Sequence, residues 1–209
     1  SNADAQLGPV LLFGTGGQGP AQLEALMTVR ELEEIRIFDA LPGRAAAFVE
    51  KNQPLADRFG VKLVEAASSK AAVTDADIIT TVTTSATPVF SNEDIKPGCH
   101  INGVGSYTPD KRELPAELIR RAGRIFVDNR EAVLSEAGDF IIPMKEGLFS
   151  SDSIAGELGE LILGKAEGRR SKDEITIMKT VGFATLDIVA AAEVVKKASE
   201  AGVGTVIKL

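Results

Sequence analysis

The sequence has 209 residues, of which 44% are hydrophobic and 25% are charged, and its formal net charge at pH 7 is −7. This is an ordinary globular composition, and the acidic balance excludes a general nucleic-acid binder, which would present a basic face. Short, charge-interrupted apolar runs predict no transmembrane span and no signal peptide, while a single cysteine, Cys99, and a single histidine, His100, exclude disulfides and Cys- or His-rich metal clusters and indicate the reducing cytoplasm.

The first part of the chain alternates between short apolar strands and helix-like segments. We predict strands at 10–13, 35–39, 61–65, 77–83, 100–104 and 125–128. We predict helices from residue 21 onwards, at 44–52, at 70–74 and at 116–121. Such alternation is typical of an α/β protein of the Rossmann type, a doubly wound parallel sheet with helices on both faces. Six strands would complete that fold.

The pattern changes after residue 128. Helices are predicted at 130–137 and 154–163, and 174–179 is a strand or an extended segment. A long amphipathic helix is predicted at 185–200, with Gly202 ending it. A last strand at 204–209 has no obvious partner nearby in the sequence. The helix and this strand indicate a surface that contacts a further domain or a second subunit.

A glycine-rich turn joins the first strand to the first helix, in the sequence GTGGQG at 14–19. Gly14 would allow the tight turn, Gly16 the approach of backbone N–H groups to a pyrophosphate, and Gly19 close packing of helix on strand. The helix N-terminus adds positive potential. Asp39 follows the second strand, where its carboxylate would accept hydrogen bonds from a ribose. The spacing predicts a dinucleotide site.

The acidic residue also bears on which dinucleotide is bound. A 2′-phosphate would face the carboxylate of Asp39, and Ala40 stands where an NADP site often has a basic residue. NAD is therefore favoured over NADP. Arg44 is close to Asp39 in the sequence, so NADP remains an alternative.

Two further loops leave the carboxyl ends of predicted strands, where ligands bind in such sheets. In the loop 83–90, the small residues Thr83, Thr84 and Ser85 would pass beside the cofactor ribose. In the loop 103–114, glycines on both sides of Val104 would leave room for a nicotinamide ring.

These motifs resemble the ornithine cyclodeaminase/mu-crystallin family. The segments that carry the resemblance are 14-GTGGQG-19, 97-PGCHINGVGSYTPDKRELP-115, 127-VDNREAVLSEAGD-139, 155-AGELGELILGKAEGRRSKDEITIMKTVG-182 and 185-TLDIVAAAEVVKKA-198. They occur in the family's order and span nearly the whole chain. Gln18 after the glycines is a mark of the family.

The resemblance implies a domain organisation. Residues 4–182 would form the NAD(P)-binding Rossmann domain, and 183–209 the C-terminal helix and strand that pack on a substrate domain. In the family that domain lies upstream, holds the substrate carboxylate and forms a homodimer. The sequence starts just before the first strand, so we expect a cofactor-binding portion without catalysis of its own.

One loop departs from the cyclodeaminase pattern. True cyclodeaminases carry GGDCPGK where this chain has GSYTPDK at 105–111, so that their catalytic aspartate falls on Tyr107. The resemblance therefore implies an NAD-dependent oxidoreductase acting on an amino acid or a cyclic imino acid, of the amino-acid dehydrogenase or ketimine/pyrroline-carboxylate reductase type. An NAD-dependent ornithine cyclodeaminase and a non-catalytic, crystallin-like NAD(P)-binding protein remain alternatives.

In that reaction the cofactor carries the hydride, and the protein aligns donor and acceptor. Ser106 and Tyr107 are the candidates for contacting the substrate amine or imine. Asp187 is a candidate N-cap of the long helix, and it also resembles a family aspartate on the cofactor side. The cofactor-binding residues are thus expected to be Gly14, Thr15, Gly16, Gly17, Gln18, Asp39, Thr83, Thr84, Ser85, Val104, Gly105 and Asp187.

Overall fold

The computed structural model describes residues 8–205 and 207. Its strands are β1 Val10–Phe13, β2 Glu34–Phe38, β3 Lys62–Glu65, β4 Ile78–Thr81, β5 His100–Gly103, β6 Arg124–Val127, β7 Ile154–Glu157 and β8 Thr176–Lys179. Its helices are α1 Gly19–Val29, α2 Arg44–Asp57, α3 Ser69–Val73, α4 Ala116–Arg121, α5 Arg130–Glu136, α6 Gly138–Lys145, α7 Leu158–Ile162 and α8 Ala184–Ala201. The prediction of an α/β fold of the Rossmann type is confirmed.

The eight strands form one parallel sheet in the order β3-β2-β1-β4-β5-β8-β6-β7. From β1 the chain first moves outward through β2 to β3, and it then returns to place β4 on the other side of β1. The order therefore reverses between β1 and β4, and a crevice opens at the carboxyl ends of these two strands. β8 lies between β5 and β6, parallel to both.

Both faces of the sheet are covered, which explains why β1 is apolar at every position. Leu11 and Phe13 lie in one cluster of buried residues, together with residues of α3, α4, α5 and α6. Val10 and Leu12 lie in the other, with residues of α1 and α2. Successive side chains of a strand point to opposite faces, so a strand buried on both sides reads as a continuous apolar run.

Several boundaries differ from the sequence prediction. The sheet has eight strands, two more than the six predicted up to residue 128. One of the two is β7, because 154–157 pairs with β6 and only 158–162 is helical within the predicted helix 154–163. α2 continues through Pro54 to Asp57, since Ala56 in its last turn is buried in the core. The segment 174–179, predicted as a strand or an extended segment, contains the strand β8.

The C-terminal segment is an 18-residue helix, α8, none of whose residues is buried. Gly202 ends it in the left-handed conformation, with φ 66°, as predicted. Of the predicted strand at 204–209, Gly204, Thr205 and Ile207 belong to no strand, and the other three residues lie outside the described residues. Within the described ranges, no helix combines the length and the apolar character that crossing a membrane requires.

Candidate cofactor site

A cleft of about 550 Å³ lies at the carboxyl ends of β1, β2 and β4, where the strand order reverses. Three segments that follow these strands form its walls. The lining residues are Phe13, Gly14, Thr15, Gly16, Phe38, Asp39, Ala40, Leu41, Arg44, Val82, Thr83, Thr84, Ser85, Thr87, Pro88 and Val89. Seven of the predicted cofactor-binding residues are among them: Gly14, Thr15, Gly16, Asp39, Thr83, Thr84 and Ser85.

The glycine-rich turn has two kinds of glycine. Gly14 has φ +96°, and a Cβ there would lie 2.7 Å from the backbone oxygen of Val82, so only glycine fits. A Cβ on Gly19 would lie 2.9 Å from Phe48 Cε2 and 3.2 Å from Gly14 O, so this residue allows α1 to pack closely on α2 and on the end of β1. A Cβ on Gly16 would meet nothing within 4 Å. The turn is therefore tightly packed on the protein side and open toward the cleft.

Asp39, on the opposite wall, is held in place by three hydrogen bonds. Its Oδ2 accepts from Thr15 N–H at 3.1 Å and from the Thr15 hydroxyl at 2.6 Å, and its Oδ1 accepts from Leu41 N–H at 2.9 Å. Burial acts to raise the pKa of the Asp39 carboxyl, but these bonds and the nearby charge of Arg44 outweigh it, and the pKa is lowered. A fixed, ionised carboxylate thus lines the cleft.

The third wall is the loop that follows β4. The Thr83 hydroxyl accepts from Ser85 N–H at 3.2 Å, and the Ser85 hydroxyl donates to Thr87 O at 2.6 Å. These local bonds shape the loop and leave Thr84 exposed. The small side chains predicted to pass beside a ribose therefore do line the cleft.

The other predicted residues lie outside this lining. Gly17 and Gln18 are exposed in the turn after Gly16, and Gln18 is the residue that precedes α1. Val104 is half-buried and continues β5 by donating from its N–H to Thr81 O at 2.9 Å. Gly105 is buried so tightly against the backbone of Thr83 that no Cβ would fit.

Asp187 does not cap the long helix, contrary to expectation. The N-cap is Phe183, and Asp187 lies exposed within the first turn of α8. There its charge complements the helix dipole without making a capping bond.

The two predicted catalytic residues occupy different environments. Tyr107 is 49% exposed. Ser106 is fully buried, and its hydroxyl donates to Lys111 O at 2.7 Å while accepting from Asp139 N–H at 3.0 Å. Ser106 does not line the cleft, and these two bonds hold its loop together; its contact with a substrate stays a prediction.

Sequence reasoning missed a buried group of charges next to the cleft. Glu113 is fully buried, and its carboxylate accepts three hydrogen bonds: from Thr83 N–H at 2.6 Å, from Gly105 N–H at 2.6 Å and from the Thr81 hydroxyl at 2.9 Å. Burial raises the pKa of this carboxyl; the bond from Thr83 opposes the rise, and the charge of Asp139 adds to it.

Asp139 and Lys179 complete this group. Both side chains are fully buried and form an ion pair at 3.3 Å between Lys179 Nζ and Asp139 Oδ2. Lys179 Nζ also donates to Gly103 O at 3.1 Å. Lys179 ends an otherwise uncharged run, ITIMK at 175–179, and a charge inside a buried strand was the signal that could have drawn attention to it.

His100 and Cys99 lie at the opposite, amino-terminal edge of the sheet. His100 Nδ1 is 2.7 Å from Thr176 Oγ1, and burial lowers the pKa of the imidazole to about 4. Burial raises the pKa of the Cys99 thiol to about 12. Both are structural residues. Across residues 8–205 and 207, no three His, Cys, Asp or Glu side chains are grouped so as to hold a metal ion.

A model of the ornithine cyclodeaminase/mu-crystallin family matches residues 3–202. The chain belongs to this family. Among its relatives, the Delta(1)-pyrroline-2-carboxylate reductase of Bacillus cereus strain ZK / E33L is 41% identical over 193 residues, a match that covers 92% of this chain and 58% of the reductase.

Solved structures that are similar to this chain include two with a bound cofactor. The Thermococcus litoralis Delta(1)-pyrroline-2-carboxylate reductase in complex with NADH and L-proline superposes with a TM-score of 0.90 at 37% identity, covering 97% of this chain and 61% of that one. An archaeal alanine dehydrogenase dimer with bound NAD superposes with a TM-score of 0.88 at 30% identity. The match covers 100% of this chain and 62% of the dehydrogenase chain. The chain thus spans about three fifths of the length of these relatives.

Proposed function

We propose that the cleft binds NAD(H), and that the chain forms the cofactor-binding part of an NAD-dependent oxidoreductase acting on an amino acid or a cyclic imino acid. The observation that carries this proposal is the position of the cleft. It opens where the strand order reverses, between a turn that is open at Gly16 and the fixed carboxylate of Asp39. The relatives whose structures contain NADH or NAD support it.

The residues of the cleft fit a dinucleotide. The open space at Gly16, just before the N-terminus of α1, suits a pyrophosphate. Asp39 Oδ1 retains one lone pair for a ribose hydroxyl beside the three bonds that the carboxylate already accepts. The exposed Arg44 borders the same cleft, but a 2′-phosphate would also meet the Asp39 carboxylate. NAD is therefore the proposed cofactor over NADP.

The chain's own contribution to catalysis is to bind and orient. The nicotinamide, when bound, supplies or accepts the hydride. The loop 82–89 and the segment of Val104 and Gly105 would border it. Tyr107, exposed beside them in the sequence, is the proposed catalytic residue that contacts the amine or imine nitrogen of the substrate.

We also propose the division of the chain into a cofactor domain, 4–182, and a C-terminal segment, 183–209, that packs on a substrate domain. The exposed apolar side chains of α8 support this division. A homodimer formed through that substrate domain and a cytoplasmic location complete the proposal.

The test of the activity uses the complete gene product. With NADH and Delta(1)-pyrroline-2-carboxylate, or with NAD and L-alanine or L-proline, we expect a change in absorbance at 340 nm during turnover, and loss of that change in Tyr107→Phe. Ammonia release from L-ornithine without net change in NADH would instead identify a cyclodeaminase. NADH binding without turnover on a broad imine and amino-acid panel would identify a crystallin-like binding protein.

A further inference from the structure

The loop that walls the cleft after β4 is attached to the body of the protein by Arg112 and Glu113, with one further bond from the Ser69 hydroxyl to Val89 O at 2.5 Å. The Glu113 carboxylate accepts from Thr83 N–H at the start of this loop, and its backbone oxygen accepts from Val89 N–H at 2.9 Å near the loop's end. Between them, Arg112 N–H donates to Ser85 O at 3.0 Å. The loop is therefore held along its length by residues 112 and 113.

The same carboxylate also holds the loop that follows β5. Its Oε2 accepts from Gly105 N–H at 2.6 Å, while Oε1 accepts from Thr83 N–H at 2.6 Å. One buried side chain thus fixes the spacing between two loops that leave neighbouring parallel strands. With N–H donors at both oxygens, the bonding pattern is that of an ionised carboxylate.

Glu113 is in turn held by the ion pair behind it. Asp139 Oδ1 accepts from Glu113 N–H at 2.7 Å and from Leu114 N–H at 2.9 Å, and Asp139 Oδ2 pairs with Lys179 on β8. Lys179 also donates to Gly103 O, at the root of the second loop. The positive charge on β8 thus stabilises both the backbone around Glu113 and the loop that its side chain binds.

We propose that Glu113 is a positioning residue for cofactor binding: its carboxylate sets the distance between the loops at Thr83 and Gly105 and thereby the affinity of the cleft for NADH. Glu113 does not line the cleft, so it acts through the two backbone amides. The affinity part rests on the proposed function, whereas the loop-positioning part does not.

Glu113→Gln is the informative substitution. Whichever way the amide is oriented, its NH2 group faces Thr83 N–H or Gly105 N–H, so at least one of the two bonds is lost at almost unchanged volume. Glu117→Gln, an exposed glutamate on α4, is the matched control. We expect amide hydrogen exchange at residues 83–85 and 103–107 to accelerate at least tenfold in E113Q, and the Kd for NADH to rise about tenfold, with E117Q unchanged in both.

Equal exchange rates and equal NADH affinity in E113Q and the unaltered chain would overturn the proposal, as would unprotected exchange of the Thr83 and Gly105 amides in the unaltered chain. If E113Q does not fold, Thr81→Val tests the proposal instead, because this substitution removes one of the three hydrogen-bond donors to the Glu113 carboxylate. It should give a smaller change of two- to fivefold in the same two measurements, and no change would refute the inference. Absence of NADH binding by the unaltered chain would overturn the cofactor site instead, leaving the exchange rates to decide the loop-positioning role.

Discussion

At the scale of single residues, Asp39 is the residue that we propose selects NAD over NADP. Its carboxylate is oriented by Thr15, a residue of the glycine-rich turn, so the residue proposed to hold the ribose and the turn proposed to hold the pyrophosphate are physically linked. A change at Asp39 therefore acts on sugar recognition, and it also frees the Thr15 side chain.

We expect Asp39→Ser to lower the affinity for NADH by about 10- to 100-fold, because hydrogen bonds to a charged group are lost, each contributing about 1.5–3 kcal/mol. NADPH should lose less, since the repulsion of its 2′-phosphate is also removed, and the preference for NADH should narrow. Competitive titrations with both nucleotides measure this. Asp173→Ser, at the opposite edge of the sheet near Gly98, is the control. A starting protein that binds NADPH better than NADH would contradict the role given to Asp39.

His100 makes the stability of the fold depend on pH. Its pKa, lowered by burial to about 4, lies below the ordinary value of 6.5, so the unfolded chain binds the proton more readily than the folded one. The contribution of the neutral imidazole is complete above pH 6.5 and is lost as the pH falls toward 4.

Urea unfolding at pH 7.5 and pH 5 should therefore show a loss of stability of about 1 to 2 kcal/mol that is attributable to this residue. His100→Gln removes the titrating group. The stability that this variant loses between pH 7.5 and pH 5 should therefore be smaller by about 1 to 2 kcal/mol. Parallel losses in the two proteins would show that His100 does not titrate abnormally.

At the scale of elements, the junction of β1 and α1 is the part that the sequence predicted best. The strand, the turn and the second strand were all expected, because each is specified by neighbouring residues: a doubly buried apolar run, glycines at a forced turn, and an acidic residue after the next strand. The helix α8 and its end at Gly202 were predicted for the same reason.

Features that depend on distant pairing were not predicted. Residues 154–157 have no strong strand preference of their own and form β7 because β6 offers an edge. The place of β8 between β5 and β6 follows from no local pattern. At the site, the carboxylate of Glu113 and the ion pair behind it come from three separate segments, and only the fold brings them together.

The space around Gly16 in the turn between β1 and α1 leads to a prediction for a substitution there. Because a Cβ at this position meets nothing within 4 Å, Gly16→Val should fold with unchanged thermal stability. Its side chain would occupy the space proposed for the pyrophosphate, so the affinity for NADH should fall more than 100-fold in a calorimetric titration. Gly159→Val, at an equally open glycine in α7, is the control. Unchanged NADH affinity in G16V would refute the assignment of the turn.

Helix α8 exposes apolar side chains that a partner would bury. Ile188 is 69% and Val195 is 65% exposed, and both lie on one stripe of the helix. We therefore expect the chain to self-associate at micromolar concentrations, and the double substitution I188E/V195E to make it monomeric in sedimentation velocity. Lys196→Glu on the same helix is the control. A chain that is monomeric throughout this range would contradict an exposed docking role for α8.

At the scale of the whole molecule, the cleft is a consequence of topology. A parallel sheet whose order reverses between β1 and β4 leaves the loops after these strands diverging around a crevice. The buried charges then hold the loop after β4 at a fixed spacing from the loop after β5. The exposed C-terminal helix remains available for contacts elsewhere. Cofactor binding and docking are thus assigned to separate parts of the chain.

An NMR titration of the isotopically labelled chain with NADH tests the cofactor site directly. We expect saturable shifts of backbone amides at residues 13–16, 38–41 and 82–89, which surround the cleft, and none at Gly98 or Asp173 at the opposite edge of the sheet. Absence of any shift at millimolar NADH, or shifts centred away from these three segments, would contradict the assignment of the cleft as the cofactor site.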